Sequence, residues 1–315
     1  MSAPTQAASG SVIRIGTRGS ALAVAQTQTI ASSLAAKTGV AVEIVTVKTE
    51  GDTSTESLAS LGGTGVFAGA LREALAAGRV DVVVHSLKDL PTGAYPGLSI
   101  GAIPKRVDPR DALCARDGLT MDELPPGARV GTGSPRRAAQ LHARRPDIEV
   151  VDIRGNVDTR LAHVAEGRLD AVVLAAAGLD RLGRLGAVTE FLSLDGWPTA
   201  PGQGALALEV RAGEEKLVAA LNHTPTRTIV EAERHVLAIL EAGCAAPIGA
   251  HGQIDDGLLF LDARVYSPDG TEKLTSSHAL YVADTPQPAL DVAQRVAAEL
   301  LENGAARFAP LGGAQ

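Results

Sequence analysis

Aromatic side chains are scarce in this 315-residue chain: four Phe, three Tyr and one Trp make up 3% of it. That disfavours a protein that grips nucleic acid by stacking bases on aromatic platforms. The net charge of -7 and pI near 5.5 argue in the same direction, because a phosphate-backbone binder needs an electropositive face. Only a local basic patch would be compatible. Cysteine is nearly absent as well. Cys114 and Cys244 stand far apart with no CxxC, which suggests neither a disulfide framework nor a zinc knuckle and reads as a reducing compartment. The seven histidines form no HxxxH or HExxH pair, so no metal is expected. No run of about 18 apolar residues occurs, and the opening "MSAPTQAASG" lacks the apolar core of a secretory signal. The expectation is a cytoplasmic protein with a frayed N-terminal tail and neither a membrane nor a nucleic-acid partner.

Hydrophobic residues at 45%, charged residues at 21% and 34 glycines fit an α/β chain packed with Ala, Val and Leu. The length suits two or three domains of roughly 100 residues each. "VIRIGTR" alternates as a strand, and "GSALAVAQTQTIASSLAAK" follows with helical spacing and Ser20 placed as its cap. "VEIVTVKTEGDT", "GVFAGALREALAAG" and "VDVVVHSLKDL" then read as strand, helix and strand. This is the β-α-β-α-β rhythm of a parallel sheet.

The second half repeats that order with similar words. "RIGT" at Arg14 returns as "RVGT" at Arg129, "VEIVTVKTEGDT" at Val42 as "IEVVDIRGNVDT" at Ile148, and "GRVDVVV" at Gly78 as "GRLDAVV" at Gly167. Two similar domains are the reading; chance similarity among valine-rich strands is the alternative. "GAIPKRVDPRDAL" looks like the crossing between them and "DGWPTAPGQGAL" like the return, so two crossings would form a hinge. Beyond about residue 222 a helix pattern in "TRTIVEAERHVLAILEAG", a strand pair around "SPDG" and a closing helix "ALDVAQRVAAELLENG" indicate a small α+β domain, with Cys244 in the loop after its first helix. The domains expected are 11–104 with 200–222, 105–199, and 223–315.

In "VGTGSPRRAAQL" Ser134 is the expected N-cap and Pro135 the first helical residue, which puts Arg136 and Arg137 in the first turn, facing the positive end of the helix dipole. An anionic ligand would remove that conflict. Arg154 ends a strand in "RGNVDTR", Arg160 lies in the following helix, and Arg18 occupies the equivalent turn of the first half. The carboxyl ends of parallel strands share one edge, so Arg18, Lys88, Arg136, Arg137 and Arg154 can converge on one cleft. Guanidinium forks suit a ligand carrying several carboxylates; solvated arginines in ordinary ion pairs are the alternative for any one of them. "VHSLKDLP" offers His85, Ser86, Lys88 and Asp89 in a row. Basic neighbours favour the charged form of Asp89, and such a carboxylate can accept a hydrogen bond from an ammonium leaving group and stabilise a developing carbocation. A turn Asp before Pro91 is the bland alternative.

Taken in order, "RIGTRGSALAVAQ", "VHSLKDLP", "GTGSPRRAAQL", "RGNVDTRL", "AAAGLDRLG", "PGQGALALE" and "LEAGCAAPIGA" resemble the hydroxymethylbilane synthase (porphobilinogen deaminase) family from about residue 12 to about 305. The resemblance implies a transferase that condenses four porphobilinogen molecules head to tail, losing ammonia each time, and releases the linear tetrapyrrole of haem biosynthesis by hydrolysis. It implies a dipyrromethane cofactor held by a thioether to Cys244, whose thiol attacks a reactive azafulvene carbon once and thereafter serves as an anchor. By the same resemblance Asp89 is the catalytic aspartate. Cofactor contacts fall on Lys88, Ser86, Thr132, Ser134, Arg136, Arg137, Arg154, Gly155 and Asn156, and substrate contacts on Arg18, Ser20, Arg154, Arg160, Gln203 and, more loosely, Arg181. The implied fold is two similar α/β domains like those of two-lobed periplasmic solute-binding proteins, joined by the two-crossing hinge, plus the small C-terminal α+β domain. Domain 1 would carry Asp89 and a lid loop from Thr49 to Gly65, domain 2 the arginine-rich side, and domain 3 the cysteine loop. A monomer suffices for one continuous cleft.

Ser60 and Thr64 stand where many relatives carry lysine, Gly133 where serine is common, and Trp197 is foreign to its place. Cys114 has no implied role and reads as a buried, inert thiol. Two readings compete with the main one. A non-catalytic two-lobed anion-binding module would account for the repeat and the arginines but not for the cysteine loop. A cysteine hydrolase would require His235 or His251 beside Cys244.

Overall fold

The computed structural model describes residues 12–47, 65–240 and 246–308. Cys244, Ser60, Thr64 and nearly all of the expected lid lie outside the described residues. The chain begins with β1 (Ile13–Thr17), α1 (Ala21–Thr38), β2 (Val42–Thr46), α2 (Gly65–Ala76), β3 (Val82–Ser86) and β4 (Leu98–Ala102). It then passes to a second sheet through β5 (Asp111–Ala115), β6 (Arg129–Gly131), α3 (Pro135–Arg144), β7 (Glu149–Val151), α4 (Val157–Ala165), β8 (Ala171–Ala175), α5 (Ala176–Arg181) and β9 (Glu190–Phe191), and returns as β10 (Leu206–Arg211).

The two sheets have orders β2-β1-β3-β10-β4 and β7-β6-β8-β5-β9. In each, the first three strands run parallel and a strand fresh from a crossing lies antiparallel beside the third. The duplication is therefore real, and the repeated words have a physical cause. Asp81 accepts from the Arg14 backbone N–H at 3.0 Å and from its guanidinium at 2.8 Å, and Arg14 also reaches the Gly78 carbonyl at 2.9 Å. Asp170 accepts from the Arg129 backbone N–H at 2.7 Å, and Arg129 reaches the Arg168 carbonyl at 2.7 Å. The acid of each "GRxD" word thus clamps the turn before the third strand onto the start of the first.

Apolar alternation decides which faces are buried. Ile13, Ile15, Val82, Val84 and Leu208 pack against Ile30 and Leu34 of α1, and Leu113, Val130, Val173 and Leu141 form the corresponding core with Trp197. Each such side chain contributes about 1.5–3 kcal/mol on burial. The crossings at 103–110 and 192–205 touch each other: Gly204 has φ +87°, and a Cβ there would stand 2.7 Å from the Val107 carbonyl, so only glycine allows the approach.

The last part is α6 (Thr224–Ile239), then β11 (Ile248–Asp255), β12 (Leu258–Tyr266) and β13 (Lys273–Tyr281) in an antiparallel meander, then α7 (Pro288–Glu302). The "SPDG" turn joins β12 to β13 as expected, but the sheet has three strands rather than two. "IGAHGQID" has two glycines and no β-branched run; its full-length pairing with β12 makes it a strand. Two residues of α6 tie this unit to the rest. Glu233, fully buried, accepts from Arg106 at 2.6 and 3.1 Å, the Gly202 N–H at 2.7 Å and the Gly252 N–H at 2.9 Å, the pairing a buried carboxylate needs. Arg234 donates to the carbonyls of Leu87, Leu90 and Pro91 at 3.1, 2.7 and 2.8 Å, bracing the turn that follows β3.

Candidate active site

The carboxyl ends of β1, β3, β7 and β8 open on a shared cleft of about 880 Å³. From the first sheet it receives Arg18 and Ser20 after β1, and Ser86, Lys88 and Asp89 at the end of β3. Ser20 also caps α1, accepting from the Ala23 N–H at 3.3 Å. From the second come Arg137, Arg154, Gly155, Asn156, Arg160 and Arg181, and from the return crossing Gln203. Twelve of the residues singled out in the sequence therefore meet in one cavity.

Three others do not line it. Arg136 is buried and turned inward, donating to Asp111 at 2.9 Å, Gln140 at 2.5 Å and the Pro198 carbonyl at 3.1 Å. The anion expected between the two arginines is present within the protein: Asp111 also accepts from Arg137 at 2.6 Å. That corrects the expectation that a ligand resolves their conflict with the helix dipole. Thr132 accepts from the Ser134 N–H at 3.2 Å, and Ser134 caps α3 from the Arg137 N–H at 3.5 Å, so both shape the turn that presents Arg137. Gly133 belongs to the same turn; a Cβ there would meet the Ile153 carbonyl at 2.6 Å, which is why serine is not accommodated. His85 likewise faces away, lying 3.1 Å from Glu209, itself held by Arg72 at 2.8 Å, because alternate strand residues point to opposite faces.

Lys88 is half-buried beside Asp89 on a 3-10 turn, Leu87–Asp89. Burial lowers its ammonium from the usual 10.5 to about 8, with Asp89 opposing the shift. Its donor reaches Gln203 Oε1 at 3.2 Å, while Ser86 accepts from Gln26 at 3.0 Å. Arg160 is held below its usual range by burial and by repulsion from Arg137 and Arg154; burial also lowers Arg181, which donates to the Gly204 carbonyl at 2.8 Å. Asn156 caps α4 through the Thr159 N–H at 2.9 Å, and Arg160 donates to the Gly155 carbonyl at 2.9 Å. Arg137 Nε and Arg154 Nε are buried with no hydrogen-bond partner among the described residues. Crowded cations with unused donors favour an anion between them.

Local reading missed Asp111 and Gln26. The visible signal for Asp111 was an acid opening the apolar strand "DALCA", which needs a buried counter-ion. Cys114 is buried, and desolvation pushes its thiol up to about 12, so it is unreactive. Among the described residues no group of His, Cys, Asp or Glu could hold a metal ion, and no helix is long and apolar enough to cross a membrane. The positions of His235 and His251 relative to Cys244 fall outside the described residues.

Two α/β lobes around a cationic cleft, with a small α+β unit braced against the turn that carries an exposed acid, define a two-lobed α/β protein suited to a polyanion. Residues 13–219 match the family model described as porphobilinogen deaminase, dipyromethane cofactor binding domain, and residues 228–302 match its C-terminal domain. The porphobilinogen deaminase of Leifsonia xyli subsp. xyli is 63% identical over 96% of this chain and 95% of its own length. That of Thermobifida fusca is 51% identical over 93% of this chain and 94% of its own. The chain belongs to the porphobilinogen deaminase family. Among solved structures, the similarity to the methionine-binding protein MetQ spans 67% of this chain and 89% of that protein at 12% identity, with a TM-score of 0.44.

Proposed function

We propose that the protein is a hydroxymethylbilane synthase, a transferase that joins four porphobilinogen molecules head to tail, losing ammonia at each addition, and releases the linear tetrapyrrole by hydrolysis. The observation that carries this reading in a chain of this family is the meeting of Asp89 and Lys88 with five arginines in one cleft. A substrate bearing acetate and propionate groups needs such cations, and an aminomethyl group that loses ammonia needs an acid beside it.

The residues present fit a dipyrromethane: the unpartnered Nε atoms of Arg137 and Arg154 and the mutual repulsion around Arg160 call for carboxylates. Arg137, Arg154 and Arg160 would hold its acid side chains, with Lys88, Ser86, Gly155 and Asn156 beside them. Arg136, Thr132 and Ser134 would act through the turn and helix that present Arg137. When bound, and anchored through a thioether to Cys244, the group would supply the nucleophilic pyrrole carbon for the first addition, each later unit being joined to the terminal pyrrole of the growing chain. Arg18, Ser20, Arg181 and Gln203 would orient the incoming porphobilinogen. The Asp89 carboxylate accepts a hydrogen bond from its departing ammonium and faces the positive charge that develops on the pyrrole, stabilisation of the kind that preorganised electrostatics provide. The protein works as a monomer in the cytoplasm, without metal, membrane or nucleic acid.

Incubation with porphobilinogen, with ammonia and tetrapyrrole quantified, tests the reading: one ammonia per porphobilinogen consumed is expected. Binding without ammonia release would leave the non-catalytic anion-binding module, which family membership does not favour.

A further inference from the structure

The carboxylate of Asp111 is fully buried and accepts four hydrogen bonds. Oδ1 takes Arg137 Nη2 at 2.6 Å and Gln203 Nε2 at 2.8 Å; Oδ2 takes Arg136 Nη2 at 2.9 Å and Trp197 Nε1 at 2.8 Å. All its lone-pair sites are used. The donors come from α3 and from the return crossing, while Asp111 itself is the first residue after the outward crossing. Gln203 is fixed in turn. Its amide donates to Asp111 and to the Pro109 carbonyl, both at 2.8 Å, so its oxygen must point the other way, toward Lys88 at 3.2 Å. An amide held at both N–H groups cannot flip without leaving a buried carboxylate short of a donor.

We propose that Asp111 is a positioning residue for the reaction assigned above, acting through Gln203 on Lys88 and directly on Arg137, and that Trp197 locks it through its indole N–H. The proposal rests on that functional reading for its consequence but on geometry for its existence. Trp197 is the chain's single tryptophan, and its ring already packs in the core with Leu113 and Leu141. The N–H is therefore an addition to a hydrophobic contact: it stops the carboxylate from rotating about its own axis and loosening Gln203. The charged groups that face Lys88 are Asp89 on its own turn, Arg136 and Arg137 from α3, and Asp111 at the start of β5. Removing the charge of Asp111, or its grip on Gln203, withdraws support from the Lys88 ammonium.

The test reads Lys88 rather than turnover alone. The cofactor-bearing protein is trace-labelled with isotopic acetic anhydride across pH 6–11, and Lys88 modification is compared with that of exposed Lys216 by peptide mass spectrometry. In Asp111→Asn the half-labelling pH of Lys88 falls by about one unit, while Lys216 is unmoved. In Trp197→Phe, which keeps an aromatic side chain in the core together with the carboxylate and both arginines, the shift has the same direction and is smaller, and kcat falls more than KM rises. Should Asp111→Asn fail to fold, Trp197→Phe still decides. A folded Trp197→Phe protein whose Lys88 titrates as in the parent overturns the proposal. Loss of the functional reading looks different: a parent that releases no ammonia but whose Lys88 still depends on Asp111 would keep the relay and remove its catalytic purpose.

Discussion

Replacing Lys88 by methionine in a protein that carries no cofactor should stabilise it near neutral pH, and should do so less as the pH rises. Burial brings this ammonium from 10.5 down to about 8. At 1.36 kcal/mol per unit, holding it charged in the folded cleft costs about 3 kcal/mol relative to the unfolded chain. The folded value is the lower one, so between about pH 8 and 10.5 the unfolded chain binds more protons and stability rises with pH. Below pH 8 the full penalty applies. Methionine keeps most of the length of the side chain as an unbranched apolar stem and removes the charge. In the Cys244→Ser background, denaturant unfolding with and without Lys88→Met at pH 7 and pH 9.5 gives a double difference in which every other titrating group cancels. The advantage of methionine should shrink by about 2 kcal/mol between the two pH values. Packing differences add a constant and do not disturb this comparison. An advantage that is the same at both pH values would mean that Lys88 carries no burial penalty.

Three further outcomes are expected. Asp89→Ala should fold and keep binding substrate, since the side chain is exposed, while turnover measured as ammonia release falls by at least about 100-fold; wild-type turnover would remove Asp89 from the chemistry. Arg154→Leu should block cofactor assembly or early elongation, read as the mass of the purified protein, by leaving carboxylates without their bidentate partner; unchanged assembly would return Arg154 to an ordinary surface ion pair with Asp152. Gly133→Ser should lower stability by about 1–3 kcal/mol in denaturant titrations, because its Cβ meets the Ile153 carbonyl at 2.6 Å, and no change would show that the turn relaxes freely.

The duplicated lobes were legible because their signals are local: alternation, helix caps and the "GRxD" word each act within one turn or between neighbouring strands. The convergence of Arg18, Lys88, Arg137 and Arg154 was also legible, since strand ends in a parallel sheet share an edge. Arg136 was not. Its partner Asp111 lies 25 residues away in sequence and arrives through the crossing, so spacing alone shows two cations at a helix start and no acid. Trp197 was opaque for the same reason, its N–H partner being 86 residues distant. His85 was misleading because four polar residues within five positions conceal which ones the pleat turns inward. β11 escaped notice because the pairing that makes it a strand is supplied by β12 and not by its own composition.

Intact mass spectrometry of the purified protein beside its Cys244→Ser variant reads whether this cleft serves a pyrrole chain anchored at Cys244. The parent should exceed the mass of its sequence by two linked pyrrole units, and the variant should not. A parent at the bare sequence mass that gains nothing after incubation with porphobilinogen would rule out the anchored chain and leave a two-lobed anion binder.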